Sequence, residues 1–545
     1  METITLVLIM FIAVFFSSML VRVLPVPLPL PLMQIALGTC IGMASSWRLE
    51  LNPEIFFLLF LPPLLFLDGW QIPKEGLFRD KGTILALALG LVVMTVLGAG
   101  YFIHWLIPSM PLAVAFALAA VISPTDPVAL SAIAARVPVP KRLMHILEGE
   151  SLLNDASGLV CLRFAVAAAL TGTFALGDAV LTFGQLALGG IAIGVVVTWG
   201  LSRGTIWLAR RFGEEPGAQI LMSLLIPFFV YLIAEHLHCS GILAAVAAGI
   251  TMSYSELTGK ALAITRIRRS AVWDMLQFAL NGLIFVLLGE QLPGIIAGAS
   301  QVVSETGHHD PVWLIAYVLI INLALGVLRF LWVWVSIRFT LFGGGQMYAQ
   351  SPRATLRVAA ATSVAGVRGA ITLAGVLTLP LLLADGTAFP VRDLAILLAA
   401  GVIIVSLIVA SIGMPWLLKG LDVPDEPQQR AEEDKARILA AEAAIRAIEK
   451  AQHAMSKNQQ DVDLYVEAAA RVSDLYRYRI DRRSDHGEAQ AQFDVTFEIE
   501  QQLRQVGLRA ERDELFRLAR EDHLDEDLAR RLIREIDLQD AQMLR

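Results

Sequence analysis

The stretch EGESLLNDASG, residues 148–158, places three carboxylates, an amide and two hydroxyls inside an apolar segment of the chain. That segment, residues 143–170, is long enough to cross a bilayer as a helix. An ionisable side chain at the centre of a membrane helix costs about 2.5–3.5 kcal/mol on insertion scales. Charges retained at such a cost mark an ion pathway or a buried ion pair, so the stretch predicts a functional site inside a membrane protein.

Helical geometry sorts the polar residues of this stretch into two faces. Ser151 and Asp155 are four residues apart and share one face, while Glu150 and Asn154 share the neighbouring face, about 100° away. The first face offers hard oxygen ligands, which alkali cations require, and no soft ligand for a transition metal. Because burial disfavours a bare carboxylate, Asp155 is predicted to hold either a proton or a cation, and competition between them would couple their fluxes.

The composition extends the membrane interpretation to most of the chain. Of 545 residues, 56% are hydrophobic and 17% charged, with a mean hydropathy of +0.63, whereas soluble domains are about 25% charged. Residues 421–545 differ, with 29 acidic and 20 basic side chains and helical patterns at 431–452, 462–480 and 496–540. We therefore expect a transmembrane domain over 1–420 and a helical, regulatory, cytoplasmic domain over 421–545. A single-span receptor, a secreted enzyme and a nucleic-acid binder are excluded.

Thirteen apolar segments are predicted to span the membrane as helices. They are 3–21, 27–44, 53–69, 83–106, 111–136, 143–170, 180–209, 217–236, 240–254, 272–289, 312–338, 355–382 and 393–419. With the first end outside, sixteen Lys and Arg residues fall in inner loops and two, Arg48 and Arg392, in outer loops. This asymmetry predicts an external N-terminus and a cytoplasmic C-terminal domain. The first segment lacks the basic region and cleavage site of a signal peptide, so we interpret it as a retained span.

Two of these spans contain helix breakers at membrane depth. The fifth contains SPTDP, residues 123–127, in which two prolines remove main-chain donors, and the twelfth contains GVRGA, residues 366–370. A pair of interrupted spans is the sequence sign of inverted structural repeats with a binding site near the bilayer midplane. Asp126 is placed to compensate the positive N-terminus of a half-helix, and direct ion binding by Asp126 is the alternative.

Two buried arginines need partners, because a guanidinium stays protonated. Glu150 is the natural partner of Arg329, and the other buried acids are the candidates for Arg368. A structural ion pair is favoured over direct transport chemistry at both positions.

Four other charged residues lie near the ends of predicted spans. Asp68 either lines an aqueous funnel or reaches the interface, and Arg163 either snorkels or pairs with an acid. Glu235 and Asp274 are expected at the interface.

At this point the motifs resemble those of a known family. SPTDPVA at 123–129, followed by EGESLLND at 148–155, resembles the sodium/proton exchanger family of monovalent cation/proton antiporters. Supporting stretches, in the same order as in the family, lie at 61–68, 241–249, 281–289 and 366–370. The resemblance covers about residues 4–420.

The resemblance implies an all-α polytopic fold, a homodimer of thirteen-helix protomers. Each protomer would have a dimerisation domain and a six-helix core with two crossed, unwound helices, moving in an elevator-like manner. In the implied site, Asp155 binds the cation and the proton, and Thr125, Ser151 and Asp68 or a water molecule supply further oxygen ligands. Asn154 holds the core together, Glu150 pairs with Arg329, and Asp126 and Arg368 balance the charges of the helix ends. The Asn154–Asp155 pair is typical of the electroneutral branch, which exchanges one cation for one proton.

The expected substrates are H⁺ and Na⁺, with Li⁺ or K⁺ as further cations, in the inner membrane of a bacterium. No cofactor, enzymatic activity or nucleic-acid partner is expected. Three other classes of protein are alternatives. A channel would need a selectivity filter, a symporter would need side chains that recognise an organic solute, and a membrane enzyme would need a catalytic motif. The sequence offers none of these features. A sensor that signals through the tail is the remaining alternative, and the tail carries no catalytic motif.

Overall fold

The computed structural model describes most of the chain. The described residues are 2–24, 28–44, 53–72, 82, 86–126, 141–171, 176–256, 262–297, 312–338, 352–380, 382, 387, 389–419, 427–456, 462–484, 488–521 and 526–543. Within these ranges the chain forms eighteen α-helices and no strand. The chain divides into two compact units, Met1–Val423 and Pro424–Arg545.

The first unit contains fourteen α-helices. They are α1 (Glu2–Val23), α2 (Leu30–Ala44), α3 (Pro53–Gln71), α4 (Val92–Leu106), α5 (Leu112–Ile122), α6 (Lys141–Thr171), α7 (Leu176–Phe212), α8 (Pro216–His236), α9 (Gly241–Glu256), α10 (Ala263–Ala297), α11 (Val312–Arg338), α12 (Pro352–Val364), α13 (Ala370–Leu377) and α14 (Arg392–Leu418). A π-helical turn, Ala86–Leu91, leads into α4.

Many of these helices have the length and composition of membrane spans. Eight of the described helices are long and apolar enough to cross a membrane, and three shorter apolar helices accompany them. The all-helical membrane fold is therefore confirmed, while the count of thirteen spans and the inverted repeats stay predictions. Residues 127–136, the second half of the predicted fifth span, lie outside the described residues.

The helices of the first unit pack as two groups. The scaffold group comprises α1–α3 and α7–α10, and the site group comprises the π-helical turn, α4–α6 and α11–α14. Packing is extensive within each group and sparse between them, where α2, α3, α9 and α10 approach α6, α13 and α14. With α12 and α13 counted as one interrupted segment, the site group has six helical segments, and the six-helix core that the resemblance implies stays a prediction.

Glycines let the helix backbones of the scaffold group approach each other closely. A Cβ at Gly289 of α10 would overlap the carbonyl oxygen of Ile35 on α2, and a Cβ at Gly38 of α2 would overlap that of Val286 on α10. Helices α3 and α9 meet in the same reciprocal way. Lipid provides no hydrophobic force between helices, so close backbone contact through small residues is a main source of their association.

One ion pair joins the two groups. The Arg163 guanidinium of α6 donates to the Glu235 carboxylate of α8 at 2.9 Å, and the same carboxylate oxygen accepts the Gly241 main-chain N–H at 3.3 Å. Of the two expectations for Arg163, the structure therefore shows pairing. Both side chains are partly exposed, and a pair of this kind contributes about 0–1 kcal/mol.

The two interrupted spans meet at their breaks. Helix α5 ends at Ile122, and the chain between α12 and α13 is irregular from Ala365 to Gly369. The Asp126 main-chain N–H donates to the Val367 carbonyl at 2.7 Å, which joins one break to the other. Pro124 has no N–H to continue a helical ladder, so the chain leaves the helix where the sequence predicts. The breaks therefore satisfy each other's main-chain groups.

The second unit is helical throughout its described residues. It contains α15 (Pro427–Ser456), α16 (Val462–Ser484), α17 (Glu488–Arg520) and α18 (Glu526–Met543). The sequence predicted one long helical stretch at 496–540, and the structure instead has α17 and α18, which are joined by an ion pair between Arg512 and Asp540 at 2.7 Å. The regulatory role of this unit stays a prediction.

The close contact between α2 and α10 gives a test of the packing. We expect Gly289→Ala to lower the thermal stability of the purified protein by about 1–3 kcal/mol, because its Cβ would overlap main-chain atoms that cannot move aside. Gly200→Ala is the matched control, since a Cβ there meets nothing within 4 Å. The measurement is the thermal midpoint by fluorescence-detected size exclusion. Equal midpoints for the two variants would contradict the packing described.

Candidate cation-binding site

A small cavity lies where the scaffold and site groups meet. Its volume is about 30 Å³, enough for a water molecule or a partly dehydrated alkali ion. The scaffold group supplies α3 and α10 to its wall, and the site group supplies α6, α13 and the residues beside both breaks. The lining residues are Leu64, Asp68, Pro124, Thr125, Asp126, Asp155, Asn281, Gly369, Ile371 and Thr372.

The charges around this cavity are all of one sign. Asp68, Asp126 and Asp155 line it, and none of its described lining residues is Lys, Arg or His. In the described part of the chain, no group of three or more His, Cys, Asp or Glu residues is arranged to hold a metal ion. Any bound cation would therefore draw on single carboxylates together with hydroxyl, amide and main-chain oxygens, a set suited to an alkali ion.

Asp155 is the most enclosed carboxylate of the cavity. Its exposed fraction is 2%, and it lies on α6 opposite the break that follows α5. Thr125, at that break, also lines the cavity and is 6% exposed. The structure thus brings together Asp155 and Thr125, two of the predicted ligands.

Ser151 is close to the cavity without lining it. Its hydroxyl donates to the Thr125 carbonyl at 2.7 Å. The Ser151 hydroxyl therefore holds the main chain of the break through its proton, while its lone pairs stay available; its role as a direct ligand stays a prediction.

A buried ion pair supports the wall behind Thr125. The Arg329 guanidinium donates to both oxygens of Glu150, at 2.5 and 2.7 Å, and its Nε–H donates to the Thr362 carbonyl at 3.1 Å. The Asn154 amide donates to the Thr125 hydroxyl at 2.9 Å and to Glu150 at 3.5 Å. A continuous chain of polar contacts thus runs from Arg329 on α11 to the edge of the cavity.

Arg368 has partners different from those that the sequence indicated. The sequence left buried acids as the candidates, whereas the guanidinium donates to main-chain carbonyls, those of Ile122 at 2.9 Å and of Gly366. The Arg368 main-chain N–H donates to the Ser406 hydroxyl of α14 at 3.1 Å. Ile122 is the last residue of α5, where carbonyls lack helical partners and the helix dipole is negative. The guanidinium compensates the negative charge at that end, which is the helix-end role that the resemblance implies for Arg368.

Asp126 lies at the N-terminal end of a helix, in contrast to Arg368, which lies at a C-terminal end. A Cβ at Gly369, the residue before α13, would overlap the Asp126 carboxylate, so the acid sits at the positive N-terminus of α13. Asp126 also lines the cavity. The position is compatible with both roles considered for it, dipole compensation and ion contact.

Asp68 lies on the scaffold side of the cavity. The sequence left open whether this residue lines a polar space or reaches the interface, and the structure places it, partly buried, on the cavity wall. It therefore faces the same space as Asp155 from the other helix group.

Two lining residues, Asn281 and Thr372, were missed by the sequence analysis. Asn281 opens the apolar stretch NGLIFVLLG, residues 281–289, and an amide in such a helix is the signal that identifies it in retrospect. Thr372 carries no such signal, because threonine is common in membrane helices. Three nearby buried polar atoms, Ser123 Oγ, Asn154 Oδ1 and Asn281 Nδ2, have no hydrogen-bond partner in the described part of the chain. Unsatisfied buried polar atoms are rare and concentrate at functional sites.

The interrupted helices and the acidic cavity define a class of protein, a secondary transporter for cations. A solved structure has a similar fold. The structure is similar to that of the sodium proton antiporter MjNhaP1 from Methanocaldococcus jannaschii, with a TM-score of 0.60 and 18% sequence identity, covering 78% of this chain and 100% of that one.

Sequence comparison identifies the family. The family model described as "sodium/hydrogen exchanger, transmembrane" matches residues 7–420. An Escherichia coli protein named as an uncharacterized Na⁺/H⁺ exchanger, YjcE, is 43% identical over 100% of this chain and 99% of its own. Two Bacillus relatives are named as sodium, potassium, lithium and rubidium/H⁺ antiporters. The one from Bacillus subtilis is 43% identical to this chain, and the match covers 76% of this chain and 62% of the relative. The one from Bacillus pumilus is 39% identical, and the match covers 97% of this chain and 76% of the relative. The chain belongs to the sodium/hydrogen exchanger family, and it is a cation/proton antiporter.

The buried pair gives a stability test. We expect Glu150→Leu and Arg329→Met each to lower the free energy of unfolding by about 3–5 kcal/mol, because each variant leaves an uncompensated buried charge. The double variant should retain more folded protein than either single variant, since both charges are then removed. The measurement is the yield of monodisperse protein and its thermal midpoint.

Glu467→Leu, at the exposed pair with Arg471, is the control and should change the midpoint little. Strictly additive losses in the double variant would show that Glu150 and Arg329 do not stabilise each other.

Proposed function

We propose that this antiporter exchanges Na⁺, Li⁺ or K⁺ for H⁺ at the Asp155 carboxylate, one cation for one proton. The observation that carries the proposal is the cavity itself: a nearly fully buried carboxylate shares it with two further acids, and no basic side chain is among its described lining residues. The names of the Bacillus relatives, which include sodium, potassium, lithium and rubidium, support this range of cations.

The chemistry follows from the cost of a bare buried carboxylate. A proton or a cation neutralises Asp155, and each excludes the other because both use the same oxygens. Exchange of one occupant for the other therefore couples the two fluxes without any further component. Since either occupant leaves the site with the same charge, the cycle is electroneutral.

Neighbouring groups would complete the cation's ligand shell. The Thr125 hydroxyl already accepts one hydrogen bond, from Asn154, and keeps a lone pair for a cation. Asp68 or a water molecule would add oxygens from the scaffold side. Asp126 and Arg368 would balance the helix ends, and Glu150, Asn154 and Arg329 would hold the break in place.

The positive guanidinium groups are kept away from Asp155 by their own partners. Arg329 is bound by Glu150 and Arg368 by two carbonyl oxygens. A free cationic side chain in the cavity would compete with the transported ion, so these contacts support cation binding at Asp155.

The orientation, assembly, cellular location and physiological role of the protein are part of the same proposal. The loop charges support an external N-terminus and a cytoplasmic C-terminal domain. We infer a homodimer in the inner membrane of a bacterium, with a role in pH and cation homeostasis, and we infer no enzymatic activity.

The first test is exchange in proteoliposomes with an acidic interior and a pH-sensitive dye inside. On addition of external Na⁺, Li⁺ or K⁺ in turn, we expect alkalinisation that persists when thiocyanate, a permeant anion, dissipates the membrane potential. Asp155→Asn should reduce the rate by about a hundredfold or more, because a neutral amide can neither take up the proton nor offer a charged ligand.

Asp274→Asn is the matched control, since Asp274 is exposed and contacts only Ser270 of its own helix among the hydrogen bonds described. It should keep the wild-type rate. Wild-type exchange in Asp155→Asn would refute the site, and a wild-type protein that moves no protons with any of the three cations would refute the exchange itself.

A further inference from the structure

Asn281 is the one amide among the cavity's described lining residues, and it comes from the scaffold group. It lies on α10 and is 9% exposed, while Asp155 and Thr125 reach the cavity from the site group. Its neighbour Gly282 faces the other way, where a Cβ would meet Val14 of α1 and Gln34 of α2. Asn281 is therefore on the face of α10 that approaches the interrupted span.

One end of the Asn281 amide has no partner among the residues that the structure describes. Its Nδ2 is buried and donates no hydrogen bond to them, although a buried amide N–H left unpaired is costly and an apolar residue would fit an apolar helix better. The retained group indicates a partner that these residues do not provide. Because Nδ2 is a donor, that partner is an acceptor such as a water molecule; when the side chain turns over, the Asn281 carbonyl oxygen takes this place and its partner is a cation.

An amide suits both states of a carboxylate that alternates between a proton and a cation. Its N–H groups can donate to a carboxylate oxygen, and its carbonyl oxygen can coordinate a cation after the side chain turns over. It carries no charge, so it neither competes with the cation, as Lys or Arg would, nor adds a further anion, as Asp would. A small cation gains most from each added hard oxygen, because its own hydration shell is the most costly to remove.

We propose that Asn281 is a selectivity residue of the cation site, supplying a neutral oxygen ligand from the scaffold side that favours Na⁺ and Li⁺ over K⁺. The inference rests on the proposed exchange at Asp155 and adds to it the residue that discriminates between cations. Removal of the Asn281 side chain would both delete this ligand and enlarge the cavity, whose volume is about 30 Å³.

The experiment measures the apparent KM and maximal rate for Na⁺, Li⁺ and K⁺ in proteoliposomes at one pH. For Asn281→Ala we expect the KM for Na⁺ and Li⁺ to rise about tenfold, the KM for K⁺ to change less than threefold, and the maximal rate to stay within about twofold; tenfold corresponds to about 1.4 kcal/mol. Asn281→Ser, which keeps one oxygen, should fall between the wild type and Asn281→Ala.

Asn322→Ala is the matched control, because the Asn322 amide donates to the Val318 carbonyl of its own helix and does not line the cavity. It should leave all three KM values unchanged. A second measurement is the rise in thermal midpoint on adding Na⁺ to detergent-solubilised protein, which Asn281→Ala should diminish and Asn322→Ala should not. If Asn281→Ala does not fold, Asn281→Ser carries both measurements.

The outcomes separate this inference from the proposed function. Unchanged KM values and cation preference in the Asn281 variants, with exchange intact, would refute the selectivity role alone. An equal loss of maximal rate for all three cations with unchanged KM would assign Asn281 to packing and also refute it. A wild-type protein without cation-dependent proton movement would instead overturn the exchange at Asp155.

Discussion

The structure of the site depends on one constraint, that main-chain groups released by a broken helix must find partners where there is no water. Two spans break in this protein, and they break at the same place. The hydrogen bond from the Asp126 N–H to the Val367 carbonyl satisfies one group from each break. Arg368 binds the carbonyl at the end of α5, and Arg329 binds that of Thr362 near the end of α12. Each break thus supplies hydrogen-bond partners to the other.

The way in which the two helix breaks are satisfied also determines where the buried charges lie. Carbonyl oxygens at helix ends accept hydrogen bonds from the two arginines, and Glu150 accepts two more from Arg329. The acids on the cavity side are left facing one another across a small space, and an array of carboxylates without a basic neighbour is stable only when a proton or a cation joins it. The acidic lining of the cavity is therefore a consequence of how the helix breaks are satisfied.

The sequence predicts the parts of this site that depend on local geometry and charge balance. The i, i+4 spacing placed Ser151 with Asp155 and Glu150 with Asn154, and the fixed charge of Arg329 required an acid such as Glu150. The partners of Arg368 were not predictable, because its carbonyl acceptors become available only when two breaks distant in sequence meet. Asn281 was missed for a similar reason: only the approach of α10 to α13 turns an ordinary amide in an apolar helix into part of a cavity wall.

The position of the cavity between two sparsely packed helix groups has a mechanical consequence. Asp68 and Asn281 belong to the scaffold group, whereas Thr125 and Asp155 belong to the site group. A displacement of one group along the other would separate these two sets of side chains while leaving the hydrogen bonds around the breaks intact, because those bonds all lie within the site group. In the proposed exchange, a cation held by both sets would be bound most tightly at one relative position of the groups, and movement away from that position would weaken its binding without disturbing Asp155 or its supports.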